Sequence, residues 1–113
     1  MIIIEKNSER VKIKLEAMQA GKDVCILITG GDTPHIGAVS VYSIEDKIET
    51  VVFEGHKDDK ISEYFINNMK YYFKGNISVS CGIHIDNITR EEINIVMDIC
   101  RDIADELKKK LCI

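Results

Sequence analysis

Between Arg10 and Glu16 the chain alternates: Val11, Ile13 and Leu15 are apolar, while Arg10, Lys12, Lys14 and Glu16 are charged. A period of two is that of a strand with one face in water. Gly21-Lys22-Asp23 then supplies a turn, and Val24-Cys25-Ile26-Leu27-Ile28 runs continuously apolar. Such a run predicts a central strand covered on both faces. Ala38-Val39-Ser40-Val41-Tyr42 and Ile48-Glu49-Thr50-Val51-Val52-Phe53 read as two more strands joined by a polar turn around Glu45-Asp46-Lys47. Four successive strands with short connections predict an antiparallel meander. Past Gly55 the period changes. Ile61, Phe65, Met69, Tyr72 and Phe73 recur at helical spacing, with Asp58 or Asp59 as a start and Gly75 as a stop.

Ile77-Ser78-Val79-Ser80-Cys81 is a fifth strand, and Thr89-Arg90-Glu91-Glu92 carries the capping-box pattern that opens a long second helix. Ile88 and Ile93 are placed to form a hydrophobic staple across that start. On a helical wheel Ile93, Val96, Met97, Cys100, Ile103, Ala104, Leu107 and Leu111 form a stripe on the order of 120° wide, which Ile95 and Ile99 extend towards roughly 200°. One sheet face rarely consumes so wide a stripe. A second protomer would bury the excess, so a homodimer using the sheet, this helix or both is expected; the alternative is that the first helix or Met1-Ile2-Ile3-Ile4 covers it. The expected fold is α+β: an antiparallel sheet of about five strands in the order β-β-β-β-α-β-α, with two helices packed on one face, forming one domain over residues 1–113.

A chain of 113 residues, 45% hydrophobic and 30% charged, is long enough to build one core without disulfide or structural metal. Its net charge of −4 argues against broad capture of nucleic acid. The one basic cluster, Lys108-Lys109-Lys110, falls in the last turn of the second helix, where it complements the helix dipole. Met1 to Ile4 is too short for a signal peptide, and no stretch approaches a membrane span, so a cytoplasmic protein with no membrane partner is expected. Cys25, Cys81, Cys100 and Cys112 form no CxxC pair and read as free, buried thiols by default, Cys25 and Cys81 in apolar strand-like runs, Cys100 on the apolar face of a helix and Cys112 exposed or frayed near the end.

The chemistry gathers at three histidines, each beside glycine and carboxylate at a strand or loop end: Gly30-Gly31-Asp32-Thr33-Pro34-His35-Ile36-Gly37, Gly55-His56-Lys57-Asp58-Asp59 and Cys81-Gly82-Ile83-His84-Ile85-Asp86. Paired glycines permit positive φ and close backbone approach, so the first loop could present amide donors to an anionic or planar ligand. It is no P-loop, lacking the Gly-Lys-Ser/Thr ending. His35, His56 and His84 could together ligate a divalent transition metal, with Asp32, Asp58 or Asp86 orienting the rings or completing the coordination. Both helix starts look self-capped by acidic residues, which opposes phosphate there. A Cys81–His84 catalytic pair is disfavoured because alternation sends the two side chains to opposite faces unless Gly82 kinks the strand. No catalytic residue is assigned.

The run Thr29-Gly30-Gly31-Asp32-Thr33-Pro34-His35-Ile36-Gly37-Ala38-Val39, followed by Gly55-His56-Lys57-Asp58 and a second His-bearing strand end, resembles the small prenylated-flavin chaperones typified by the D subunit associated with gallate decarboxylase. Their fold is similar to that of proteasome-assembly chaperones. The resemblance implies a dimeric α+β protein that binds matured prenylated FMN and delivers it to a UbiD-type decarboxylase without turnover of its own. It implies cofactor contacts at Gly30, Gly31, Asp32, Thr33, His35 and Gly37, and metal-linked positions at His35, His56 and His84. Two other classes compete. One is a small metalloenzyme with Asp32 or Asp86 as base, and the other an assembly or dimerisation module that needs no cofactor.

Overall fold

A computed structural model describes residues 1–43, 45, 47–53 and 58–111. Eight elements follow in order: β1 (Ile2–Ser8), β2 (Val11–Ala20), β3 (Asp23–Gly31), β4 (Ala38–Ser43), β5 (Lys47–Val52), α1 (Asp58–Met69), β6 (Ile77–His84) and α2 (Arg90–Leu111). The strands form one six-stranded sheet in the order β1-β2-β3-β6-β4-β5. The α+β class, the two helices and every expected strand are present. The sheet is mixed rather than antiparallel, because β6 enters between β3 and β4 and runs parallel to β3, Val24 opposite Ile77 through Gly31 opposite His84. It has a sixth strand because Ile2 to Ile4, with the residues after them up to Ser8, pair antiparallel with β2 as β1.

One face of the sheet carries the core. Val11, Ile13, Leu15 and Ala17 of β2, Val24, Ile26 and Ile28 of β3, and Ile77, Val79 and Cys81 of β6 all point under the helices. They meet Ile61, Phe65, Ile66 and Met69 of α1 and Val96, Ile99, Cys100, Ile103, Ala104 and Leu107 of α2. Ile4 of β1 joins that core, with Ile2 packed against it, and Ile95, Met97 and Leu111 of α2 are themselves partly buried there. Most of the wide stripe of α2 is thus covered within the protomer, by the sheet including β1, while Ile93 at its start stays half-buried outside that core.

Under α1 the packing includes buried hydroxyls. Ser40 Oγ lies 2.6 Å from Ser62 Oγ and 2.8 Å from Thr50 Oγ1, and Thr50 donates to Glu63 Oε2 at 2.6 Å. This chain ties α1 to β4 and β5 and satisfies the two fully buried serines. The helix stops at Met69 rather than running on through Tyr72 and Phe73, whose amides fold back onto the Met69 carbonyl. Phe73 still packs on the core, whereas Tyr72 is exposed.

The opposite face of the sheet is bare. Across it run Ile3, Glu16, Leu27, Ser80, Val39 and Val51, one from each strand in register, and beside them Met18, Cys25, Ser78, Val41 and Glu49. The expectation that β3 is covered on both faces therefore fails within one protomer: Cys25 is exposed, unlike the buried thiols of Cys81 and Cys100. No described helix is long and apolar enough to cross a membrane.

Candidate functional site

Two of the three histidine-bearing segments converge at one end of the sheet. Gly31 adopts φ +77°, a conformation in which any Cβ would also run into the His84 carbonyl. That turn lets the Asp32 amide donate to His84 O at 2.7 Å, and the Asp32 carboxylate accepts the Asp86 amide at 2.9 Å. The glycine loop is thereby zipped to the end of β6. Asp32 is spent on this backbone bracing and on Arg10, whose Nη1 lies 3.8 Å away.

Pro34 and His35 then cross over β6 where Gly82 has no side chain; a Cβ there would overlap the His35 carbonyl. The His35 ring turns towards the start of α1. Its Nδ1 lies 3.0 Å from the Thr33 carbonyl and its Nε2 3.4 Å from Asp58 Oδ2. Gly37 leaves the room for this meeting, since a Cβ at that position would strike the Asp58 carboxylate. Asp58 is buried, and its other oxygen accepts the Ile83 amide at 3.1 Å. Its carboxylate thus braces β6 and faces His35; Asp58 is one of the three carboxylates named beside the histidines. His84 is more exposed and pairs through Nε2 with Asp86 Oδ1 at 2.9 Å.

His35, His84 and Asp58 line one cavity of about 560 Å³, closed on its other sides by Lys60 and Ile61 of α1, Ile83 and Ile85 at the end of β6, and Ile88, Ile93, Val96 and Met97 at the start of α2. A mostly apolar cleft with a few convergent polar groups is the form that small-ligand sites take. The α2 side of this cleft was not legible as a site. Ile88 and Ile93 satisfy the staple pattern, and Val96 and Met97 the core stripe, so the sequence had already accounted for them. Lys60 carried no signal in the sequence.

The start of α2 is fixed by the capping box in the expected form. Glu92 N donates to Thr89 Oγ1 at 3.1 Å, and the Glu92 carboxylate accepts Thr89 N at 3.0 Å. The sequence did not announce Arg10, in the β1–β2 turn, which completes the arrangement. Its guanidinium makes a two-pronged contact with Glu92 and donates to the Asp86 carbonyl at 2.8 Å. The Arg10 hydrogen bond, with the Thr89 amide, holds the Glu92 carboxyl down at about 2.

Among the described residues no group of three or more His, Cys, Asp or Glu side chains converges as a metal centre. His35 and His84 each turn to a carboxylate, and His56, with Gly55 and Lys57, lies outside the described residues, as do Asp46 and Cys112. The Cys81 thiol approaches Asp58 Oδ1 at 3.9 Å rather than His84. Burial and then the Asp58 charge push it far above the ordinary thiol range, so it is no nucleophile.

Residues 7–112 match the model of the prenylated flavin chaperone LpdD-like domain. The chain belongs to that family. The chain is also 33% identical over 92 residues to protein LpdD of Lactiplantibacillus plantarum, a stretch covering 77% of this chain and 68% of that protein. In three dimensions it is similar to a chain from the crystal structure of a chaperone complex for yeast 20S proteasome assembly, with a TM-score of 0.62 over 97% of both chains at 10% identity. At that identity the likeness is one of fold. Within the prenylated flavin chaperone family the expected similarity to proteasome-assembly chaperones thus holds at the level of architecture.

Proposed function

We propose that this chain is a non-catalytic carrier that holds prenylated FMN in the cavity between the starts of α1 and α2 and passes it to a UbiD-type decarboxylase. The observation that carries the reading is the cavity itself. In a chain of the prenylated flavin chaperone family, the apolar cleft is bounded at one end by His35, His84 and Asp58. Flavin rings are planar and largely apolar with polar edges, which suits aliphatic walls and a polar end. The adjacent thiol favours holding over turnover, being buried and protonated.

We also infer that the carrier works as a homodimer joined through the bare sheet face. The sequence of β3 is that of a strand covered on both sides, yet one side is open in the protomer. The centre of that face, Cys25, Leu27, Val39, Val41, Ser78 and Ser80, carries no charge. A twofold axis along the strands between β3 and β6 would set Leu27 against Ser80 and Met18 against Val41 of the second copy, large against smaller.

The carrier reading is tested by titrating the protein with prenylated FMN and plain FMN, with and without divalent metal, for wild type and His35→Ala/His84→Ala. Preferred, histidine-dependent binding of the prenylated form is expected, followed by stoichiometric activation of apo-decarboxylase. Wild-type protein that binds neither flavin under any of these conditions overturns the reading.

A further inference from the structure

The four polar side chains that line the cavity differ in what they can recognise. Lys60 is the one fixed cation among them, and among the described residues no carboxylate lies within ion-pair distance of it. It follows Asp58 by two positions in α1, about 200° around the helix, so the two charges project to different parts of the cleft. The opposite character prevails at His35. A carbonyl only accepts, so the Nδ1 that sits 3.0 Å from Thr33 O carries a hydrogen. The ring's Nε2 stands 3.4 Å from Asp58 Oδ2, too far to use up that oxygen's accepting capacity. That carboxylate's other oxygen already takes the Ile83 amide. Asp58 is nine-tenths buried, so water is a poor substitute for a partner there.

We infer that the ligand lies in the cavity with its anionic tail at Lys60 and a donor-bearing ring edge at His35 and Asp58, the body of the ring resting on Ile88, Ile93 and Met97. This orientation rests on the carrier reading above. A phosphate cannot share the Asp58 end, where it would meet a buried like charge, and an N–H group gains nothing at Lys60. The ring imide of a flavin supplies an N–H to Asp58 Oδ2, and its ribityl phosphate supplies the anion. Lys60 would thus select phosphorylated over dephosphorylated cofactor, a discrimination that the histidines cannot provide.

The test measures Kd by flavin fluorescence for prenylated FMN and for the same compound after phosphatase treatment, against wild type, Lys60→Gln, Lys60→Arg and Asp58→Asn. Lys60→Gln is expected to weaken prenylated FMN by about tenfold, the loss of one charge-assisted contact, and to leave the dephosphorylated ligand unchanged, while Lys60→Arg retains the preference. Asp58→Asn, which can still accept the Ile83 amide, is expected to weaken both ligands by the same factor. Two results overturn the orientation while leaving the carrier reading intact: equal effects of Lys60→Gln on both ligands, or tighter binding of prenylated FMN alone to Asp58→Asn, which would place the phosphate at the carboxylate. Wild type that binds neither ligand overturns both readings together.

Discussion

At the scale of single residues, the candidate site depends on side chains that are absent. Gly82 and Gly37 are small because the His35 backbone and the Asp58 carboxylate occupy the space their Cβ atoms would need. In Gly82→Ala the clash is with backbone, which cannot swing aside as a flexible side chain would. We expect a loss of about 2–4 kcal/mol in chemical denaturation, with His35 displaced from Asp58, as an overpacked, backbone-limited site requires. Gly21→Ala is the control: its φ is +64° but its Cβ would meet nothing within 4 Å, so only the backbone term of about 1 kcal/mol should appear. Equal losses for the two variants would show that close approach at Gly82 is not what places His35. The sequence made His35 and His84 legible, with Asp58 one of three candidate carboxylates, because histidine, glycine and carboxylate at strand ends are unusual company. It hid Ile88 and Met97 because each already had an ordinary explanation as staple or core, and Lys60 because a single lysine in a helix carries no signal. It also assigned Asp32 to the ligand, whereas the structure spends that carboxylate on the Asp86 amide and Arg10.

At the scale of elements, the local signals translated well and the pairing order did not. The Thr89–Glu92 capping box forms as written, since all its partners lie within one turn. The insertion of β6 between β3 and β4 depends on a crossover through α1 that no periodicity records, and hence an antiparallel meander was the expectation. Arg10 belongs to the same class of long-range device, reaching from the β1–β2 turn to the start of α2. Its contact with Glu92 has a pH signature. The Glu92 carboxyl is lowered from 4.5 to about 2 by the Arg10 hydrogen bond and the Thr89 backbone. A depressed folded-state value contributes stability that is full above about pH 4.5 and is lost as pH falls towards 2. Acid titration of the denaturation midpoint should therefore show a drop across that window in wild type, flattened in Glu92→Gln. An undiminished slope in the variant would assign the acid sensitivity to other carboxylates. Thr89→Ala should cost about 1 kcal/mol at neutral pH through the lost cap and should also soften the acid drop slightly, because Thr89 Oγ1 donates to Glu92 Oε1 at 3.2 Å and is a smaller contributor to its lowered value.

At the scale of the whole molecule, the helices cover one side of the sheet and the cavity opens at one end of the layer they form, which leaves the other side to be explained. The width of the α2 stripe suggested a partner, but the sheet, with β1 at its edge, consumes most of that stripe. The better sign was the unbroken apolar run of β3, whose outward side chains Cys25 and Leu27 are left uncovered. Burying one such face against a copy of itself removes Met18, Leu27, Val39, Val41 and Val51 from water without touching the cavity. The arrangement predicts that dimerisation and flavin binding separate by mutation. Leu27→Lys places a charge near the proposed axis, where the second copy would bring another towards it, and should convert a dimer to a monomer in light scattering while the protein remains folded. Cys25 gives the same event a chemical readout. In a Cys112→Ser background, maleimide should modify Cys25 slowly in the dimer and rapidly once Leu27→Lys is added, whereas Cys81 and Cys100, buried in the core, stay protected in both, the Cys100 thiol being pushed up to about 12 by that burial. Fast labelling of Cys25 at all protein concentrations in the otherwise unaltered chain would mean that this face stays open in solution, and that the second copy does not pair there.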